Sequence, residues 1–194
     1  MIRPGMALAL VCLSTLPARA DCKDEIRKMF ELRSNKSGMR AVVETEMQGK
    51  IIQTTKSSYQ DYRHNIFEVV GRNWWSMLYG DTHYNSTDGK TWKKSGTQDA
   101  NWEKKAAEGH ESLLSTMTNA TCGDTKEIDG KVYKIYRYSY KAEKPYPTDT
   151  DNVIYFDVAD GFVFRSGVLS KGAVASKLTT TYSRDPGLKI PRPE

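Results

Sequence analysis

Histidine and cysteine are scarce in this sequence, with three of each among 194 residues. The histidines are His64, His83 and His110, and no two have the spacing that would place them on one helix face around a metal ion. The sequence also contains no Gly-x-Ser-x-Gly turn, no glycine-rich phosphate loop and no His-Glu-x-x-His motif. These absences predict a protein that is not an enzyme, with no catalytic residue, metal ligand or cofactor.

Carboxylates, unlike histidine and cysteine side chains, are plentiful in the sequence. A pair such as Glu44 and Glu68 could in principle serve a glycosidase, but such pairs have no sequence signature. Glu44 more simply occupies a solvated strand face. Neither basic nor acidic residues form a cluster, since the 29 basic and 24 acidic residues are interspersed along the chain. Without a basic stripe, no nucleic-acid partner is predicted.

Long apolar runs are confined to the amino terminus. The run over residues 6–16 follows Arg3, is too short to span a bilayer, and precedes the small-x-small site Ala18-Arg19-Ala20. Residues 1–20 are therefore predicted to be a cleaved signal peptide, followed by a single domain over 21–185 and a proline-rich extended tail over 186–194. We expect a periplasmic or secreted protein without stable membrane insertion.

Two cysteines remain after Cys12 leaves with the signal peptide. Cys22 and Cys122 form an even count in an oxidising compartment, which favours a disulfide bond. The alternative is that both thiols stay reduced and apart.

Hydrophobic periodicity predicts a helix over 21–32 and then strands. From Met39 the apolar residues alternate with polar ones, which is typical of half-buried strands. Asp-Gly pairs at 88–89, 129–130 and 160–161 separate strand-like runs and indicate tight hairpins. Residues 73–94 are expected to be a three-stranded meander in the central part of the sheet. Strands are expected to resume at 125, and the last is expected to begin at Val174.

One further helix is predicted over 101–117. Its apolar stripe is expected to cover the preceding strands, and consists of Trp102, Ala106, His110, Leu113 and Met117. The fold class is therefore α+β, with one antiparallel sheet of roughly ten strands that curls beneath covering helices.

Aromatic residues are concentrated in the meander and in one later strand. They can fill a core, or they can form the wall of a cavity for an apolar ligand. Trp74 and Trp75 are adjacent, so one is expected in the core and the other exposed or covered by a partner.

This order of elements resembles the periplasmic lipoprotein carriers of the LolA/LolB-like half-barrel superfamily. The resemblance covers most of the chain after residue 20, including YNSTDGKTW at 84–92 and LKIP at 188–191. It implies a half-barrel whose helices cover the concave face of the sheet and a hydrophobic ligand held between them. Carriers of this family tie their lid helices with an early-strand arginine. Arg63 lies in that region but lacks the following proline, so it is not assigned the role.

The predicted function is binding of a lipid or acyl chain between the sheet and the helices. The residues expected to line this site are Val43, Phe67, Val69, Trp75, Met77, Trp102, Leu113, Met117, Tyr136 and Tyr138. The alternative is a non-enzymatic module that docks another envelope protein on an exposed aromatic face of the sheet.

Overall fold

The computed structural model describes residues 21–32, 37–142, 148–172 and 175–194. The predicted signal peptide and Val174 lie outside the described residues. The helices are α1 (Cys22–Leu32) and α2 (Trp102–Thr116). The strands are β1 (Met39–Met47), β2 (Lys50–Asp61), β3 (His64–Val69), β4 (Trp75–Tyr79), β5 (Thr82–Ser86), β6 (Lys93–Thr97), β7 (Thr118–Ile128), β8 (Lys131–Ala142), β9 (Thr148–Asp157), β10 (Phe162–Lys171) and β11 (Ala175–Arg184).

All eleven strands form one open antiparallel sheet in the order β6-β5-β4-β3-β2-β1-β11-β10-β9-β8-β7. Each half of the sheet is a meander, because turns between successive strands bring antiparallel neighbours together. The two halves meet where β1 pairs with β11, from Met39 opposite Arg184 to Met47 opposite Ser176. The predicted α+β class, with one curved half-barrel sheet and helices against it, is confirmed.

The prediction that the 73–94 meander is central is wrong. Strands β4, β5 and β6 form one edge of the sheet, because the later strands add on the far side of β1. Strand β6 begins only at Lys93, since the Asp88 carboxylate accepts hydrogen bonds from the N–H groups of Lys90 and Thr91 and prolongs the turn. Strand β7 begins at Thr118, directly after α2, and not at 125.

The Asp88 turn supplies a pH-dependent contribution to stability. Hydrogen bonds from the backbone of Thr91 and Lys90, and then from Ser86, hold the pKa of Asp88 well below its usual range. A lowered pKa stabilises the fold above the unfolded-state value of about 3.9, and this contribution is lost as the pH falls further. We expect Asp88→Asn to be less stable than wild type at neutral pH, with a smaller difference near about pH 3. Urea unfolding at both pH values measures this difference, and an unchanged difference would contradict the assignment.

The main core lies between the helices and the strands β7 to β10. Its buried members are Ile26, Met29, Leu114, Met117, Cys122, Tyr136, Tyr138, Ile154, Phe156 and Val163. The carboxyl-terminal segment has no regular secondary structure, yet Leu188 and Ile190 are buried, and the N–H of Ile190 donates to Oε1 of Gln60 at 2.9 Å. In the part of the chain that the structure describes, no helix has the length and apolarity needed to cross a membrane.

Candidate functional site

Helix α1 is fixed on the concave face of the sheet by a covalent bond and by burial. Cys22 and Cys122 form a disulfide that joins α1 to β7, as the cysteine count predicted. Ile26 and Met29 are almost completely buried one turn apart on the face that meets the sheet. An isolated helix of 11 residues is marginal in water, so these contacts hold α1 in place.

A polar contact reinforces the same helix. Glu25 forms an ion pair with Lys134 and accepts a hydrogen bond from the hydroxyl of Tyr136 at 3.3 Å. Burial, and then the nearby Glu25 carboxylate, raises the pKa of Tyr136 to about 12. The hydroxyl therefore stays protonated and keeps donating to Glu25 throughout the physiological pH range.

Helix α2 is held mainly at its two ends. At its carboxyl end, Leu114 is buried and Met117 follows in the core beneath it. At its amino end, the Trp102 ring lies 5.6 Å from the Tyr62 ring in the β2–β3 turn. Arg63 in the same turn forms an ion pair with Glu103 at 3.5 Å. The helix thus crosses the concave side of the sheet from the β2–β3 turn to β8.

The middle of α2 is not packed. Ala106, which belongs to the predicted apolar stripe, is exposed, and a Cβ atom added at Gly109 would meet nothing within 4 Å. A ring contact between His110 and Phe30, with centroids 5.0 Å apart, joins α2 to α1 instead. Residues 103–109 of α2 are therefore exposed between Trp102 and the contacts that begin at His110. The predicted packing of the whole stripe on the preceding strands is not observed.

A groove of about 340 Å³ lies at the centre of the concave face, where strands β8 to β11, β1 and β2 adjoin Phe30 of α1. It is lined by Phe30, Met39, Tyr59, Tyr138, Asn152, Ile154, Val163, Ser166, Gly167, Val168 and Tyr182. Eight of these eleven residues are apolar or aromatic, and polar atoms supply nearly half of the surface that the lining exposes. Apolar walls with polar groups among them are typical of small-molecule sites.

The concave face continues beyond the groove across β1, β2 and β3. Phe67 extends the aromatic lining, since its ring lies 5.5 Å from that of Tyr59. Val43 is opposite Thr55, which is opposite Val69, so all three project to the same side of the sheet. Val43 and Phe67 are only half-buried. The groove therefore leads into a partly uncovered apolar surface.

A second opening of about 950 Å³ lies beside the disulfide. Its walls carry charged side chains, including the ion pairs of Lys134 with Glu25 and of Arg137 with Asp124. Such walls suit water and ions better than an alkyl chain, so the smaller groove is the better candidate for an apolar ligand.

The structure divides the ten predicted site residues into separate groups. Val43 and Phe67 lie on the partly uncovered concave surface, and Val69 is buried on the same face. Leu113, Met117, Tyr136 and Tyr138 lie in or against the core beneath the helices, and Trp102 lies at the start of α2. Trp75 and Met77 pair with Glu68 and Ile66, so they project to the opposite face from Phe67. The register therefore does not bring these two residues into the groove.

The edge tryptophans differ in exposure, but neither lies in the core that was expected to hold one of them. Trp74 is 44% exposed. Trp75 is half-buried, and its indole lies 3.3 Å from the position that a Cβ atom on Gly89 would occupy. Trp75 is therefore covered by the turn before β6, and not by α2.

Tyr138 is the one predicted site residue that lines the groove, and the other ten lining residues, including Phe30, Tyr59, Val168 and Tyr182, were missing from the prediction. The alternation along the last strand placed Tyr182 on an apolar face, which was a usable signal. The pairing of β1 with β11, which brings Tyr59 and Tyr182 to the same groove, has no signature in local sequence.

No protein-family profile matches the chain, and no curated protein matches it either. Several solved structures, by contrast, match the chain in fold. The lipoprotein LppX of Mycobacterium tuberculosis superposes with a TM-score of 0.60 at 14% identity, over 88% of this chain and 98% of LppX. LprF from Mycobacterium bovis superposes with a TM-score of 0.59 at 11% identity, over 89% of this chain and 96% of LprF.

A LolA superfamily protein, NE2245 from Nitrosomonas europaea, aligns over 89% of this chain and 96% of its own, but with a TM-score of 0.35 at 8% identity. The likeness to LppX and LprF is therefore the informative one, and at these identities it concerns the fold. The chain therefore shares the fold of LppX and LprF, and its one curved antiparallel sheet with helices against it is the half-barrel architecture that the sequence resemblance implied.

Proposed function

We propose that this protein is an exported envelope protein that binds a lipid or another acyl-chain ligand between the curved sheet and helices α1 and α2. The observation that carries the proposal is the groove of about 340 Å³ on the concave face, which the protein's own side chains do not fill. Phe30 of α1 forms one wall of this groove, and residues 103–109 of α2 are exposed.

The dimensions of the groove suit part of an alkyl chain. Its volume of about 340 Å³ lies at the lower end of the range of roughly 300–1,000 Å³ for ligand pockets. A longer chain would continue over Val43 and Phe67, where further apolar surface is available. Each buried methylene contributes about 0.8 kcal/mol, so affinity would come from burial with little polar specificity.

The rings around the groove support an apolar occupant. Phe30, Tyr59, Tyr138 and Tyr182 supply rings on several sides of it. Their flat faces can contact an alkyl chain while the phenol oxygens reach polar surroundings. No catalytic role is needed for any of these residues.

Fluorescence titration with dansyl-labelled undecanoic acid tests the proposal. The protein purified after expression of the full chain is expected to bind the probe with saturation, and unlabelled palmitate is expected to displace it. Extraction of the protein with organic solvent beforehand removes any lipid acquired in the cell, so an occupied groove cannot mask the signal. Absence of saturable binding to the extracted, refolded protein would overturn the proposal.

A further inference from the structure

One end of the sheet combines exposed apolar side chains with basic ones. This end, the basic end, contains the β1–β2, β3–β4 and β5–β6 turns. Its exposed apolar residues are Ile51 (58% exposed), Ile52 (53%), Trp74 (44%) and Val70 (40%). Side chains of these types are normally buried, so four at neighbouring turns mark a contact surface.

The backbone places these residues on adjoining turns. Ile51 is opposite Glu46, one pair beyond the β1–β2 turn. The N–H of Val70 donates to the carbonyl of Thr54 at 2.9 Å, which fixes the β3–β4 turn beside β2. Trp74 closes that turn, since its carbonyl accepts from the N–H of Val69 at 3.2 Å.

The charges at this end are positive and available. Lys50, Arg72 and Lys90 are exposed, and none of the three forms an ion pair within the described ranges. Asp88 is the acidic residue of the β5–β6 turn, and its carboxylate is occupied by hydrogen bonds from that turn. Glu46, which is opposite Ile51, is paired with Lys177 at 3.2 Å. The basic end therefore presents unpaired positive charge around its exposed apolar side chains.

The opposite end of the sheet has the reverse character. Its turns carry Asp61, Asp81, Asp129 and Asp160, together with Arg63 and Lys131. Three large side chains, Tyr62 (54%), Val132 (62%) and Val158 (64%), are exposed among these turns. Here the basic groups have acidic partners, since Arg63 pairs with Asp81 and Glu103, and Lys131 pairs with Asp157 and Asp160. The molecule is thus polarised along its strands by unpaired positive charge at the basic end.

We propose that the basic end docks reversibly on an anionic phospholipid bilayer. Tryptophan and isoleucine side chains enter the headgroup region, while lysine and arginine side chains meet lipid phosphates. The partly uncovered concave surface runs to this same end, because Val69 directly precedes Val70. Docking would therefore bring the open part of the groove to the membrane. The inference goes beyond ligand binding and does not depend on an occupied groove.

Co-sedimentation with lipid vesicles tests the docking surface. The purified protein is expected to bind vesicles containing phosphatidylglycerol at least tenfold more tightly than vesicles of phosphatidylcholine alone. High salt should weaken this binding because the lysine and arginine contacts are screened. Equal affinity for the two kinds of vesicle, or no binding to either, would overturn the proposal. The second result would favour an envelope protein as the occupant of this surface.

Matched variants locate the surface. Ile52→Ser combined with Trp74→Ser, and separately Lys50→Gln combined with Arg72→Gln, are each expected to weaken vesicle binding about tenfold, which corresponds to about 1.4 kcal/mol. Val132→Ser combined with Val158→Ser changes equally exposed residues at the other end and should alter binding less than twofold. Equal losses from the two ends would overturn the proposal.

The dansyl titration without vesicles separates the two proposals. The variants at the basic end are expected to bind dansyl-labelled undecanoic acid like the wild type. Vesicle binding without probe binding would support docking and reject the ligand groove. Probe binding without vesicle binding would do the reverse.

Discussion

Replacing Cys22 and Cys122 with alanine is expected to lower the free energy of unfolding by about 2–5 kcal/mol. The disulfide closes a loop of 100 residues, and in the chain-entropy model a loop of that length is worth up to ~4.7 kcal/mol. Alanine is preferred over serine because Cys122 is buried, and a serine hydroxyl there would need a hydrogen-bond partner. Urea unfolding monitored by circular dichroism measures the loss.

A reductant supplies the control for this prediction. Adding dithiothreitol should destabilise the wild type by a similar amount and leave the double alanine variant unchanged. A loss below about 1 kcal/mol would contradict the account, because it would mean that burial of Ile26 and Met29 alone holds α1 on the sheet. The same variant should also bind the dansyl probe less tightly, since α1 supplies Phe30 to the groove.

Val168→Asp is expected to weaken binding of dansyl-labelled undecanoic acid at least tenfold, or by about 1.4 kcal/mol. Val168 lines the groove, and a carboxylate there would have to lose its hydration as an alkyl chain entered. The substitution should be tolerated by the fold because Val168 is only half-buried. The fluorescence titration gives the dissociation constant directly.

The neighbouring residue offers a matched control for this variant. Leu169 is 39% exposed and, as the next residue on the strand, projects to the opposite face. Leu169→Asp introduces the same charge one position away and should leave probe affinity within about twofold. Equal losses from both variants, or no loss from Val168→Asp in a protein with an unchanged circular dichroism spectrum, would place the ligand elsewhere.

Local signals predicted most of the fold. The change from helical to alternating periodicity at Met39, the Asp-Gly turns and the amphipathic stripe near residue 110 correspond to observed elements. At Asp129 and Gly130 both φ angles are positive, which is the conformation that made this dipeptide a hairpin signal. Signals of this kind act over a few residues, so the elements can be read from the sequence.

The position of each element in the sheet could not be read in the same way. The meander over 73–94 carries a clear hairpin signal at Asp88-Gly89, but that signal does not determine its place in the sheet. It lies at an edge because position depends on which distant strands pair, here β1 with β11. Local sequence encodes the face of a strand but not its neighbours across the sheet.

The same dependence on pairing between strands explains why the predicted site combines residues from both faces of the sheet. Phe67 and Trp75 are both large apolar residues of the early strands, and nothing local assigns them to different faces. Their separation follows from the register, in which Phe67 is opposite Ser57 and Trp75 is opposite Glu68. Val168 and Tyr59 were missed because their proximity arises only when β10, β11, β1 and β2 are side by side.

Native mass spectrometry of the protein, purified gently after expression of the full chain, tests the proposed function most directly. The account predicts a native mass above that of the polypeptide, with the difference lost on denaturation and recovered as a lipid in the organic extract. Val168→Asp should carry less of this component, and Leu169→Asp should carry the wild-type amount. A native mass equal to that of the bare polypeptide, unchanged after addition of palmitate, would contradict the account.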